Sequence, residues 1–148
     1  MKIDIYCHSV TLSPDMPTMM SGCAIRLVTD NGFERILSFG LGSSDANRSM
    51  VTTLRLALSA IMPKHRTCTA VLHCADEMAF RLLCKIGRKY QYDYQIDTIE
   101  DLRRIADTYK DLYVTCASDE IGSALIKLAE DAAAYQKSTD SGANNGDR

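Results

Sequence analysis

The chain has 148 residues, of which 46% are hydrophobic and 24% are charged, and its formal net charge at pH 7 is −2. A chain of this length can bury its own core as one domain, and this composition excludes a largely disordered protein. The slightly negative charge gives no overall attraction to polyanions, so any contact with nucleic acid would need a local basic patch.

The sequence also favours a cytoplasmic protein. It has no apolar stretch long enough for a membrane span, and its N-terminal segment MKIDIYCHSV lacks the apolar core of a signal peptide. Most of the six cysteines lie within apolar runs, where reduced thiols behave as small buried hydrophobes. We therefore expect no membrane contact and no disulfide framework.

The first half of the sequence predicts three strands followed by a helix. Residues 2–8 alternate apolar and polar side chains, as a strand does, and the proline-containing segment after them predicts a loop. Residues 23–29 and 33–40 predict two further strands, and the Asp-Asn-Gly sequence between them favours an antiparallel hairpin. Apolar residues at helical spacing follow and predict a helix that ends at Pro63.

The second half alternates helices with two more strands. Residues 68–74 predict a buried strand, which is followed by a helix, a tyrosine-rich extended segment and a short helix. Residues 112–117 predict the fifth strand, and a last helix is expected at about 118–137. Residues 138–148 are polar and aperiodic, which predicts a disordered tail after a domain formed by residues 1–137.

The predicted order β-β-β-α-β-α-α-β-α describes an α/β domain with a five-stranded mixed sheet and helices on both faces. IDIYCHS is its first strand, ANRSMVTTLRLALSAI its first helix, and AVLHCADEMAFRLL its fourth strand with the helix after it. In order and local sequence these segments resemble the ribonuclease H-like superfamily. That family has Asp-Gly-Ser at the end of its first strand and Asn-Arg-Met-Glu-Leu at the start of its first helix.

The resemblance implies a site for two-metal hydrolysis, in which four carboxylates hold two divalent ions about 4 Å apart at a scissile phosphate. His8 takes the place of the first aspartate, and Met50 takes that of the helix glutamate. The aspartate after the fourth strand matches Ala75 or, with a shift of one residue, Asp76. The last aspartate falls near residues 126–127, which are not acidic. At most one of the four acids is therefore retained.

We therefore expect a catalytically degenerate domain without a cofactor, which acts as a nucleic-acid-binding or protein-interaction module and could form a homodimer. The alternative is a divergent nuclease that acts on an RNA–DNA hybrid or a structured nucleic acid. Its Mg²⁺ or Mn²⁺ ligands would be His8, Asp76, Asp119 and Glu120. Met50 opposes this alternative, because a thioether is a poor ligand for a hard cation.

The segment CKIGRKYQYDYQ combines cations with alternating tyrosines, at the place where several ribonuclease H proteins carry a basic protrusion. Cations suit phosphates and aromatic faces suit bases, so this segment predicts contacts with an RNA–DNA hybrid or a single strand. The candidate residues are Lys85, Arg88, Lys89, Tyr90 and Tyr92. An edge strand or a subunit interface would show the same alternation, so a protein contact remains the alternative.

Three cysteines, Cys7, Cys74 and Cys116, fall near the ends of strands that the predicted order makes neighbours. Three adjacent thiols could form a soft-metal or redox site. They could equally fill a tight layer between the sheet and the helices, as buried cysteines commonly do. The sequence has no Cys-x-x-Cys spacing of the kind that indicates zinc, so we favour the packing interpretation.

Overall fold

The computed structural model describes four parts of the chain, namely residues 1–12, 19–74, 96–116 and 118–141. In chain order, these parts contain the elements β1 (Lys2–Leu12), β2 (Met20–Thr29), β3 (Glu34–Ser43), α1 (Ala46–Ser59), β4 (Thr69–Cys74), α2 (Ile96–Ala106), β5 (Asp111–Cys116), α3 (Ser123–Tyr135) and β6 (Thr139–Ser141). Two 3₁₀ turns occur at Pro63–His65 and Ser118–Glu120. Within the described ranges, no helix has the length and apolar character needed to cross a bilayer.

The strands form one mixed sheet in the order β5-β4-β1-β2-β3-β6. β1, β2 and β3 are antiparallel neighbours, whereas β4 lies parallel to β1 and β5 parallel to β4. The turn between β2 and β3 contains Gly32 with a φ of 93°, a conformation that favours glycine. The predicted hairpin and the parallel crossover strands are therefore confirmed.

The sheet has a sixth strand, so the predicted count of five is wrong. β6 lies inside the segment expected to be a disordered tail, and it pairs antiparallel with β3. Arg35 donates to both carboxylate oxygens of Asp140, at 3.1 and 2.8 Å. The hydroxyl oxygens of Ser38 and Thr139 lie 2.7 Å apart. A polar strand of three residues has no apolar alternation, so the sequence pattern could not indicate it.

Other differences concern the ends of elements. β1 and β2 extend into the predicted loop, because Ser9 to Leu12 pair with Cys23 to Met20. The last helix begins at Ser123 rather than near residue 118, because Gly122 interrupts it with a φ of 87°. The helix expected after residue 76 and the tyrosine-rich segment lie outside the described residues.

One face of the sheet is covered by α1, against which α2 packs. Asp45 begins α1, because its side chain accepts a hydrogen bond from the Arg48 amide at 2.8 Å. The apolar stripe of α1 then faces the sheet, where Leu54 and Leu58 share a buried cluster with Ile5 of β1. This layer is the main core of the domain.

The other face is covered by α3, which approaches β2 very closely. A Cβ atom added to Gly22 would lie 2.3 Å from the backbone nitrogen of Ala133, so only glycine fits there. Gln136 follows α3 and fixes its end, since its amide donates to the carbonyl of Ser21 at 2.9 Å. Its oxygen accepts from the Gly42 amide at 2.6 Å. The prediction of helices on both faces is therefore confirmed.

Candidate functional site at the carboxyl end of the central strands

The parallel strands β1, β4 and β5 bring their carboxyl ends to one edge of the sheet. Cys7, Cys74 and Cys116 are paired in register near these ends, and His8 follows Cys7 on β1. The turn Ser118–Glu120 comes shortly after β5. This edge is where the resemblance places the metal-binding acids, and we call it the carboxyl end of the sheet.

Met50, which the sequence resemblance matches to the family's helix glutamate, is part of the hydrophobic core. Its exposure is only 7%, and it belongs to the buried cluster that contains Cys7, Leu54 and Cys74. A thioether has no charge to offer a hard divalent ion, and its burial among apolar groups explains why methionine suits this position. A carboxylate at this position would lose its hydration, and the surrounding apolar cluster offers it no cation in return.

His8, which the sequence resemblance matches to the family's first aspartate, is half-buried. Because side chains alternate along a strand, His8 shares its face with Tyr6 and Val10, which pack against the cluster under α3. Met50 packs on the other face, in the cluster under α1. The structure thus places His8 and Met50 against different layers of the domain.

Asp119 and Glu120, the proposed substitute acids, lie in the 3₁₀ turn before α3 and are both exposed. A carboxylate oxygen of Glu120 lies 2.7 Å from Nδ1 of His73, so this acid faces a histidine. No group of three or more His, Cys, Asp or Glu residues that could hold a metal occurs in the part of the chain that the structure describes. Asp76 lies outside that part, so the four-residue metal set remains a prediction.

His73 of β4 has a carboxylate at each ring nitrogen. Its Nε2 lies 2.8 Å from Oδ1 of Asp4, and its Nδ1 lies 2.7 Å from Oε2 of Glu120. The hydroxyl of Thr115 is 3.0 Å from the same Nδ1. A protonated imidazolium donates to both acids, whereas either neutral tautomer presents a lone pair to one of them. This arrangement ties the turn before α3 to the sheet.

Tyr6 supports His73 from β1. The two rings are stacked, with centroids 4.3 Å apart and planes 10° from parallel. Burial and then the charge of Asp4 raise the pKa of the Tyr6 phenol, and the Arg26 guanidinium lies 5.7 Å from the centre of its ring. Sequence reasoning missed this cluster. The available signal was the polar alternation of Asp4 and Tyr6 beside His73, on strands that the crossover makes neighbours.

The three cysteines are neighbours, as predicted, but they do not present three reactive thiols. Cys7 and Cys74 are buried, and Cys116 is exposed. The Cys7 thiol lies 3.8 Å from the carbonyl oxygen of His73, and that of Cys74 lies 3.4 Å from the carbonyl oxygen of Thr115. Burial raises the pKa of the Cys7 thiol, whereas a metal ligand must be a thiolate. The geometry favours the packing interpretation.

All the candidate residues for nucleic-acid contacts lie in a part of the chain that the structure does not describe. They are Lys85, Arg88, Lys89, Tyr90 and Tyr92. Their role in binding therefore remains a prediction from the sequence.

No protein-family model and no curated protein matches the sequence, whereas solved structures match the fold. LC11-RNase H1, isolated from compost, aligns with a TM-score of 0.76 at 15% identity over 90% of this chain and 96% of that chain. In complex with an RNA/DNA hybrid, LC11-RNase H1 gives 0.74 and 13% identity, over 90% and 97% of the two chains. Ribonuclease H1 from Halobacterium salinarum NRC-1 gives 0.72 and 12%, over 89% and 97%.

The chain therefore has the ribonuclease H-like fold, as its predicted order of elements implied. The similarity extends over nearly the whole of both chains in each of these three comparisons. TM-scores of 0.72 to 0.76 establish a shared fold, whereas identities of 12% to 15% establish no shared activity, because one fold supports many functions.

Proposed function

We propose that this chain is a catalytically degenerate ribonuclease H-like domain that binds nucleic acid without cleaving it. One observation supports the proposal: Met50, which the sequence resemblance matches to the family's helix glutamate, is a buried thioether in the core. Neutral apolar packing takes the place that a metal-bridging carboxylate would need.

Among the residues that the structure describes, the other donors at the carboxyl end do not fit a pair of Mg²⁺ ions either. His8 offers a nitrogen rather than a charged oxygen, and the matching positions on α3 are Ile126 and Lys127. Glu120 faces His73, at 2.7 Å. Two hard cations at one phosphate need several converging carboxylate oxygens, so hydrolysis through two metal ions does not follow from this set.

Binding is supported by the fold and by the sequence. A protein of similar fold was solved in complex with an RNA/DNA hybrid, and the segment with Lys85, Arg88 and Lys89 carries three cations and no acid among residues 85–90. Contacts to phosphates require cations but no metal site, so binding can persist where hydrolysis is lost. We propose the cytoplasm as the compartment, since the described cysteines are free thiols.

A labelled RNA–DNA hybrid incubated with the purified chain in Mg²⁺ or Mn²⁺ tests the loss of cleavage, with EDTA and an active ribonuclease H as controls. We expect an intact hybrid. Metal-dependent cleavage that disappears in His8→Ala and in Asp76→Asn would instead support the divergent nuclease.

Retention of the hybrid in a native gel tests the binding half of the proposal. We expect the triple variant Lys85→Ala/Arg88→Ala/Lys89→Ala to weaken binding by about tenfold or more, because each lost phosphate contact also removes counterion release. The matched control removes three exposed cations elsewhere: Arg103→Ala/Arg104→Ala/Lys110→Ala. Equal binding by both triple variants and the unmodified chain would exclude the basic segment as the binding surface.

A further inference from the structure

The three neighbouring cysteines at the carboxyl end of the sheet differ in exposure. Cys7 and Cys74 are buried, whereas Cys116 is exposed. Packing between the sheet and α1 accounts for the two buried thiols, because both belong to the main apolar cluster. Packing does not account for Cys116, which places a nucleophilic side chain at the surface directly beside a buried thiol.

Cys74 and Cys116 are paired in register on the parallel strands β4 and β5. Neighbouring strands lie about 4.8 Å apart, and this spacing falls within the range of about 4.4–6.8 Å that separates the Cα atoms of a disulfide. Alternation along β5 places Cys116 on the same face of the sheet as Val114, which packs against the cluster that contains Cys74. The two cysteine side chains therefore project to the same side of the sheet.

A hydrogen bond of Cys74 shows the direction of its thiol. Its Sγ donates to the carbonyl oxygen of Thr115 at 3.4 Å, so the sulfur is directed toward β5, one residue before Cys116. Cys7 donates in the same way to the carbonyl oxygen of His73 on β4, at 3.8 Å. Cys74 thus lies between two cysteines, and its thiol is directed toward the strand that carries the exposed one.

Cys68 is partly exposed but lies far from this pair. It precedes β4 at the amino end of the sheet, where β1 and β3 begin, and its thiol donates to the carbonyl oxygen of His65 at 2.9 Å. His65 lines an apolar groove of about 390 Å³ at that end, together with Phe33 and Met62. The strand between Cys68 and Cys74 spans about 20 Å, so Cys68 is an internal control for a reaction at the carboxyl end.

We propose that Cys116 and Cys74 form a reversible disulfide when the protein meets a hydroperoxide. The Cys116 sulfur attacks one peroxide oxygen and the O–O bond breaks, which gives a sulfenic acid on Cys116 and a water or alcohol that takes up the thiol proton. The Cys74 sulfur then attacks Sγ of Cys116, the S–O bond breaks, and the departing hydroxyl leaves as water with the Cys74 proton. The two thiols lose two electrons in total, and the peroxide gains them.

The disulfide has two consequences. One of its sulfurs belongs to an exposed residue, and exposed disulfides are readily reduced, so glutathione returns both thiols in the cytoplasm that we propose for this chain. The bond also joins the two ends of a loop, residues 75–115, which contains Lys85, Arg88 and Lys89. Formation of the bond does not depend on the proposed binding of nucleic acid by those cations.

Peptide mapping by mass spectrometry tests the proposal on the full chain, which is first reduced, desalted and treated with hydrogen peroxide. We expect two peptides linked through Cys74 and Cys116, and loss of this link after glutathione is added. On a non-reducing denaturing gel the linked chain should migrate faster, because the closed loop makes the unfolded chain more compact. Cys68→Ser, the matched control, should leave both results unchanged.

Two further variants separate the two steps. Cys74→Ala should stop the reaction at the sulfenic acid, so that dimedone, a reagent for sulfenic acids, labels Cys116 more than in the unmodified chain. Cys116→Ser should abolish both the label and the link. Urea unfolding verifies that Cys74→Ala is folded, and Cys116→Ser changes only an exposed side chain.

Several results would overturn the proposal. One is an oxidised chain without any intramolecular link, in which Cys116 is oxidised to a sulfinic acid and Cys74 remains a thiol. Another is a link from Cys116 to Cys84 or to a second chain. A link between Cys7 and Cys74 that leaves Cys116 reduced would also contradict it, as would equal dimedone labelling of Cys116 in Cys74→Ala and in the unmodified chain.

Discussion

The two ends of the central strands use apolar side chains in opposite ways. At the carboxyl end, where the family resemblance would place a metal site, Met50 and Cys7 are buried in the core. At the amino end, Phe33 and Met62 remain more than half exposed around a groove. Burial accounts for the first pair without any function. The second pair instead leaves most of its apolar surface unburied at the rim of the groove.

The difference also has an energetic side. Complete burial of a side chain such as that of Met50 contributes about 1.5–3 kcal/mol to folding. Phe33 is 54% exposed, so its ring contributes much less to the free energy of folding than a fully buried ring would. Met50 and Cys7 are therefore constrained by stability, whereas Phe33 and Met62 contribute little to it.

The largest expected effect comes from restoring the family's acid. We predict that Met50→Glu lowers the free energy of unfolding by about 3–5 kcal/mol, because it buries an unpaired charge. Met50→Leu, the matched control, should cost less than about 1.5 kcal/mol. Urea unfolding measures both. A Met50→Glu variant as stable as the unmodified chain would show that this position is open to water or cations.

Thiol reactivity gives a second test of burial at the carboxyl end. We predict that a neutral alkylating reagent modifies Cys116 at least about a hundredfold faster than Cys7, because Cys7 reacts only after local opening of the core. Burial also raises the pKa of the Cys7 thiol, so little thiolate is present at neutral pH. Peptide mass spectrometry over time measures the rates. Similar rates at both residues would contradict a closed core.

The cluster around His73 should have an intermediate effect. We predict that His73→Phe, which keeps an aromatic ring against Tyr6 but loses both carboxylate contacts, lowers the free energy of unfolding by about 1–3 kcal/mol. Thr115→Val is a milder comparison, since it removes only the hydroxyl contact at 3.0 Å. If urea unfolding of His73→Phe matches that of the unmodified chain, the two carboxylate contacts contribute nothing to stability.

The smallest effect is expected at the groove. We predict that Phe33→Ser and Met62→Ser each change the free energy of unfolding by no more than about 0.5 kcal/mol, because exposed side chains contribute little to folding. The same urea titrations serve as the check that these variants are folded. A loss of 2 kcal/mol or more, on the order expected for a core residue, would mean that these two side chains are packed into the core.

Much of this fold was predictable, and the reasons are local. The alternation on β1 and the helical spacing on α1 report which side is buried, so the burial of Ile5 and Leu54 follows from the pattern. Gly32 in the hairpin turn is a similar local signal. β6 could not be predicted, because its pairing depends on contacts such as Arg35 with Asp140, more than a hundred residues apart in sequence.

Less of the candidate site was predictable. The absence of a glutamate at Met50 is visible in the sequence, but its burial against Cys7 and Cys74 requires the packed structure. The contacts of His73 join three segments that only the crossover connections bring together. The groove forms where the ends of three strands and of α1 come together, and no periodicity in the sequence indicates that they do.

The central claim is that the carboxyl end does not hold divalent ions, and counting bound Mn²⁺ by electron paramagnetic resonance tests it most directly. With the RNA–DNA hybrid present, we predict that adding the protein removes no more Mn²⁺ from the free pool than the hybrid removes alone. Binding of one or two further Mn²⁺ ions per chain would contradict the claim if both His8→Ala and Asp76→Asn abolished it. That result would support the divergent nuclease.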